Sequence, residues 1–289
     1  MTEFSKSYSP SHITGFFSVD NNLNPKKKGA IGAGIILKDG CITKIEKNES
    51  KEIKIYINGI EDEARTSRYV ASEILGKDLG EEGVTIRSNF GVPVKGGFGT
   101  SAAGAISTAL ALNDLYSKNL TFNRLSEMAH VAEVVNKTGL GDVDAISVSG
   151  GLVMRKKGGS VNYGSFDIIP IGETKVGYIF LKEMCTKDVL KDGKIMNMVN
   201  KVGREMLKSL VKRPTLENFM RLSCKFSCEI GLADGKIKDA IEDVMANGGL
   251  ASMAMIGGTV FAINEYDCLK DHGRLYETEI MFGRPHIIR

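Results

Sequence analysis

The chain has 289 residues, 42% hydrophobic and 25% charged, the mix of an ordinary globular protein, which excludes a disordered tail or a coiled coil. At roughly 100–200 residues per domain, this length suits two lobes or one large α/β domain. A net charge of +3, no Trp and 7% aromatics supply too little basic surface and too few stacking rings for a nucleic-acid binder.

Residues 34–38 and 41–47 alternate like two strands, with Asp39-Gly40 between them as a turn signal. A third strand is expected at 53–57, a helix over 61–75 on Val70, Ile74 and Leu75, and another strand at 84–87. A Gly- and Pro-rich passage fills 89–99. Two helices follow. The one over 100–116 is built from small and apolar residues, so it is buried and packs closely; the one over 123–136 has Thr121 available as its cap. Strands are expected at 150–155 and 176–181. Helices are expected at 189–210, 216–230 and 237–246, and two last strands at 250–256 and 259–264. This mixed order argues for an α/β (α+β) fold and against a doubly wound sheet.

Two stretches, 96–113 and 244–264, carry no charge, but Gly, Ser, Thr and Asn interrupt both, so neither reads as a membrane span. The opening residues show no apolar leader, and the expectation is a cytoplasmic protein. The five cysteines form no CxxC pair, and no zinc spacing accompanies Cys224 and Cys228; buried, reduced thiols are expected. The helical spacing of Met196, Met198, Met206 and Met220 suggests core positions.

The segment richest in chemistry is Pro93-Val-Lys-Gly-Gly-Phe-Gly-Thr-Ser-Ala-Ala-Gly104. Gly96, Gly97 and Gly99 let the backbone turn sharply beside a ligand. They run into a helix whose first N–H groups and dipole favour phosphate, and Thr100 and Ser101 add hydroxyls. It is not a Walker A loop, because none of the Gly-Lys pairs at 76–77, 193–194 and 235–236 precedes Ser or Thr. Gly97-x-Gly99-x-x-Ala102 fits a dinucleotide fingerprint, but the preceding strand ends too early and no acid stands about 20 residues on.

That segment resembles the central motif of the GHMP kinases, P-x-x-x-G-L-G-S-S-A-A. Ser9-Pro-Ser-His-Ile-Thr-Gly-Phe-Phe17 resembles the first motif of that superfamily in position, and Gly249–Phe261 the third, a glycine turn beside the phosphates. Within the superfamily, Gly139-Leu-Gly-Asp-Val-Asp-Ala145 and Gly150-Gly-Leu-Val-Met-Arg155 resemble the archaeal pantoate kinases. The resemblance implies a two-lobed fold, with lobes at 1–160 and 161–289 and the nucleotide and acceptor in the cleft between them. It implies ATP and Mg²⁺, a pantoate acceptor on the way to coenzyme A, and neither nucleic acid nor membrane as partner; a homodimer stays open. Mevalonate, homoserine or shikimate as acceptor, or a phosphate-binding module without turnover, are the alternatives.

The resemblance also assigns roles. Pro93, Lys95, Gly96, Gly97, Phe98, Gly99, Thr100, Ser101 and Ala102 would surround the nucleotide phosphates. Ser101 and Glu133 would hold Mg²⁺, although an ion pair from Glu133 to Lys137 is the plain alternative. Asp142 would be the base, with Asp144 in reserve because Asp-Val-Asp-Ala replaces the Asp-Asn-Ala of mevalonate kinases. Arg155 could clamp the acceptor's carboxylate, with His130 and Thr186 as helpers. Lys26-Lys27-Lys28 is either a solvated loop or a rim that attracts phosphate.

Overall fold

The computed structural model describes residues 4–80, 82–148, 150–184 and 193–289. Among these, two sheets carry the fold. Strands β1 (Phe4–Asp20) and β2 (Gly29–Asn48) form a long antiparallel ribbon. Along one half of β2, residues 41–48 pair with β5 (Gly83–Phe90), which runs parallel to β3 (Ile53–Ile57). Along the other half, residues 32–35 pair with β6 (Leu152–Lys157), which carries β7 (Ser165–Ile169). The second sheet has the order β11 (Leu275–Glu279), β8 (Lys175–Lys182), β10 (Gly258–Ile263), β9 (Leu250–Met253).

The expected turn at Asp39-Gly40 is not one: β2 runs straight through it. The partner strand explains this. Pro10 interrupts the ladder with a register shift between Ser9 and Ser11, and a Cβ on Gly40 would lie 2.0 Å from the Ser9 carbonyl oxygen. Gly40 therefore lets a bulge close up rather than reversing the chain. The real hairpin lies at Asn58-Gly59. Both residues have positive φ, as a two-residue hairpin turn requires, and they join β3 to β4 (Ile60–Glu61). Helix α1 therefore begins at Arg65, not at residue 61, and runs to Leu75 with Val70, Ile74 and Leu75 buried as expected.

Helix α2 (Thr100–Leu115) is almost wholly buried, and its small side chains let it lie close on β1 and β2. Helix α3 (Phe122–Asn136) is capped by the Thr121 hydroxyl. A short helix, α4 (Asp142–Val148), follows where no helix was expected. Helices α5 (Gly193–Lys212), α6 (Leu216–Glu229) and α7 (Gly235–Ala246) correspond to the three expected late in the chain. Strand β12 (His286–Ile288) then returns to pair with β1.

Two apolar clusters result. One joins the start of β2, β6 and the second sheet to helices α5–α7; the other lies between α1–α4 and the β3–β5 side. Met206 and Met220 are core residues, whereas Met198 is half-exposed. The thiol expectation fails in part. Cys41 is buried, but Cys224 and Cys268 are only partly covered and Cys228 is exposed. No helix among the described residues is long and apolar enough to cross a membrane.

Candidate active site

A cavity of about 660 Å³ opens above the N-terminus of α2. Its floor is the glycine loop. Gly99 caps α2 in the left-handed conformation, φ 59°, which a residue with a Cβ adopts only with strain. As a glycine it offers no capping side chain, so the N–H groups of Thr100, Ser101 and Ala102 are left without a side-chain cap. These are the unpaired donors an anion takes. A second glycine turn closes on the first: a Cβ on Gly257 would stand 2.1 Å from the Gly96 carbonyl oxygen. Lys95 lies on the exposed rim, ion-paired to Glu183 at 3.2 Å. Phe98 is buried edge-on against Tyr178, with ring centroids 4.9 Å apart. Pro93, Gly96 and Ala102 stand behind the cavity wall, while Lys95, Gly97, Phe98, Gly99, Thr100 and Ser101 line it.

Glu133 turns inward from α3 and is buried. The Thr138 hydroxyl donates to its Oε1 at 3.0 Å, and Ser101 also bonds it. A Cβ on Gly139 would come within 2.0 Å of its Oε2. Burial, then the nearby Asp142 charge, push its pKa up to about 7 against the pull of those hydroxyls. Lys137 takes the left-handed cap position of α3 instead of forming the alternative ion pair to Glu133. The Ser101 hydroxyl is also 3.0 Å from that of Thr66.

Asp142 opens α4 and lines the cavity, a quarter exposed. His12 Nδ1 lies 2.6 Å from its Oδ1, and the Thr14 hydroxyl donates to the same oxygen at 3.3 Å. Burial would raise its pKa, but the His12 contact and the Arg155 charge outweigh that and hold it below the usual carboxylate value. Arg155, on β6, is buried at the same cavity. Its guanidinium reaches His12 Nε2 at 3.4 Å and the Thr14 hydroxyl at 3.3 Å, and its Nε–H has no partner among the described residues. Burial pulls its pKa down, and the charges of Asp142 and Asp144 work against that.

His130 and Asp144 stand apart from the cavity lining. His130 Nδ1 is 2.7 Å from Asp144 Oδ2, and its Nε2 meets the carbonyl oxygens of Pro25 and Lys28 at 3.1 and 2.9 Å. Both ring nitrogens face acceptors, so the ring carries both protons. Burial opposes that charge, but Asp144 prevails and His130 is raised to about 8. The pair therefore pins the loop carrying Lys26, Lys27 and Lys28. Lys26 itself ion-pairs the buried Glu127 at 2.9 Å. Thr186 lies outside the described residues.

His12, Thr14, Thr66 and Thr138 belong to the site without having been singled out from the sequence. For His12 and Thr14 a signal existed, because both lie in the Ser9–Phe17 segment, whose side chains face the centre of the fold once it is a strand.

The fold and the glycine cradle define a class. Residues 66–151 match the GHMP kinases N terminal domain. Structures solved for mevalonate-3-kinase from Thermoplasma acidophilum share the fold with a TM-score of 0.67 at 15% identity in one case, over 100% of this chain and 99% of that one. The chain is 35% identical to a pantoate kinase of Thermococcus kodakarensis over 89% of its own length and 87% of that protein. It is 31% identical to one of Methanocaldococcus jannaschii over 91% and 94%. A solved phosphotransferase related to the CoA biosynthesis pathway superposes with a TM-score of 0.89 at 30% identity, over 99% of each chain. The chain belongs to the pantoate kinase family of the GHMP kinases.

Proposed function

We infer that this protein transfers the γ-phosphoryl group of ATP to the terminal hydroxyl of pantoate, giving 4-phosphopantoate for coenzyme A synthesis. One observation carries the choice of acceptor. A buried guanidinium whose Nε–H is unpaired among the described residues shares a cavity with an ionised Asp142 and the uncapped start of α2. An acceptor with a carboxylate at one end and a hydroxyl at the other spans such a site.

The N–H groups of Thr100, Ser101 and Ala102 would receive the phosphates over the glycine loop. Ser101 and Glu133 suit Mg²⁺: a hydroxyl and a buried carboxylate with no cationic side chain bonded to it among the described residues form a hard-oxygen set. Bound there, the ion would neutralise charge on the phosphates. Arg155 would hold the acceptor's carboxylate bidentately and so fix which end faces ATP. The terminal hydroxyl then lies against Asp142, which orients it and takes its proton as the new P–O bond forms and the bond to the ADP oxygen breaks. A depressed pKa suits that role, because a loose phosphoryl-transfer transition state needs positioning more than a strong base. We also read lobes at 1–160 and 161–289; the buried residues of one apolar cluster all lie within the first span, while the other cluster draws on both.

The test is a panel of pantoate, mevalonate, homoserine and shikimate with Mg-ATP, scored by kcat/KM. Pantoate should lead. Faster turnover of any other member overturns the acceptor, and no ATP consumption with all four overturns the kinase reading.

A further inference from the structure

Arg155 and Asp142 do not touch through their charged atoms; two side chains of β1 stand between them. Thr14 receives from the Arg155 guanidinium at 3.3 Å and donates to Asp142 Oδ1 at 3.3 Å. His12 makes the second bridge, 3.4 Å to Arg155 and 2.6 Å to the same oxygen. The partners fix the tautomer of His12. A carboxylate only accepts and a guanidinium only donates, so Nδ1 carries the proton and Nε2 the lone pair. The imidazolium would set an N–H against the guanidinium. Burial, the larger effect, also disfavours the charged ring, and Arg155 adds to it, against the pull of Asp142. His130, whose two nitrogens both face acceptors, shows the opposite arrangement.

The ring has little freedom to do otherwise. His12 is fully buried, and its ring lies over a bare stretch of β2, where a Cβ on Gly34 would come within 2.2 Å of Nε2. Its backbone N–H is bonded to the Phe98 carbonyl in the glycine loop at 3.1 Å. The charged groups about this cluster are Arg155 from β6, Asp142 and Asp144 from α4 and, beyond Asp142, Glu133 from α3.

We propose that neutral His12 is a positioning residue that couples the acceptor's carboxylate site to Asp142: it holds Arg155 at one ring nitrogen and Asp142 Oδ1 at the other, leaving Oδ2 to meet the acceptor's hydroxyl. The proposal rests on the pantoate reading for the identity of the acceptor, but not for the tautomer. His12 does not touch the reacting atoms. It sets the angle of the carboxylate that does, and the spacing between the two ends of the acceptor site.

Two measurements test it. In ¹⁵N-labelled unaltered enzyme at about pH 7, the His12 ring should show the neutral Nδ1–H tautomer; an imidazolium, or a proton on Nε2, overturns the proposal. Two variants then separate the two bonds. In H12N the amide falls near Nδ1 and can still donate to Asp142, whereas in H12Q it falls near Nε2 and can reach only Arg155. H12Q should lower kcat about 10–100-fold with the pantoate KM within about 3-fold, and H12N should raise that KM about 10-fold with kcat within about 3-fold. The KM for ATP should stay put in both. Equal losses in kcat and both KM values, tracking loss of thermal stability, reduce His12 to a core residue. If a variant does not fold, the tautomer in the unaltered enzyme decides. Unaltered enzyme inert toward pantoate removes the acceptor assignment and leaves the tautomer result standing.

Discussion

Arg155 allows the most exacting test of the acceptor site. Among the described residues its guanidinium makes two hydrogen bonds, both long at 3.3 and 3.4 Å, and its buried Nε–H makes none. Burial works against its charge. A carboxylate bound there would gain two charge-assisted hydrogen bonds, each about 1.5–3 kcal/mol net. Taking the pair as about 3–4 kcal/mol, Arg155→Ala should raise the KM for pantoate by about 10²–10³. The KM for ATP should change by less than about 3-fold, because none of the α2 donors is touched. Arg155→Lys should recover only part of the loss, since an ammonium brings charge without the planar pair of donors. Initial rates in a coupled ADP assay, with each substrate varied in turn, measure both constants. A normal pantoate KM in Arg155→Ala refutes the reasoning and moves the carboxylate elsewhere, with the Lys26–Lys28 loop the next place to look.

Asp142→Asn should lower kcat about 10²–10⁴-fold and leave ATP binding by titration calorimetry nearly intact. If Asp144→Asn does so instead, the roles of the two aspartates are exchanged. Ser101→Ala and Glu133→Ala should each weaken Mg-ATP use, and the double variant should lose less than the sum, because both side chains would serve one ion. Additive losses in Mg²⁺ titrations of activity would separate their roles. His130 gives a pH signature. Its folded pKa of about 8 lies above the unfolded value of about 6.5, so its contribution is complete below about 6.5 and is lost as pH rises through about 8; the shift is worth about 2 kcal/mol. Urea midpoints of the native protein should fall over that window more than those of His130→Gln, and parallel curves would rule the pair out as the cause.

Much of this was legible in the sequence, for definite reasons. The glycine loop and the helix it opens could be read because Gly97, Gly99 and the small residues after them serve one local purpose. The late helices could be read because apolar spacing alone defines them. Strand β1 could not. Its inward face carries Ser5, Ser7, Ser9 and Ser11, all buried, so the period-2 pattern points the wrong way. Ser5 and Ser7 fit there because α2 lies close and supplies acceptors, the Asp114 carboxylate at 2.8 Å and the Ser107 carbonyl at 2.7 Å, while Ser11 donates to the Asp39 carbonyl at 2.6 Å. The Asp39-Gly40 turn misled because a bulge on the neighbouring strand, invisible to local reading, needs a glycine as much as a turn does. At the site, Asp142 and Glu133 are reached through motif resemblance, but the side chains that Asp142 leans on, His12 and Thr14, come from a distant strand. His12 and Asp142 are 130 positions apart in the chain, and spacing carries no information at that range. His130 is expected as a helper for the acceptor because it stands three residues before Glu133, yet its ring spends both nitrogens on Asp144 and the 25–28 loop.

The forked ribbon of β1 and β2 separates what in this pocket is fixed from what can be redesigned. His12 and Thr14 sit mid-strand in a 17-residue strand, between its two register shifts, and Arg155 is paired across β2 at Gly32. Moving any of them means shifting the register of a whole sheet. Phe17, Ala30, Leu140 and Met184 line the same cavity with apolar side chains outside the hydrogen bonds that join Arg155, His12, Thr14 and Asp142. A designer wishing to retarget the enzyme to a bulkier or shorter hydroxy acid would vary those four walls. The phosphoryl-transfer apparatus would come along unchanged, like a jig that accepts different workpieces.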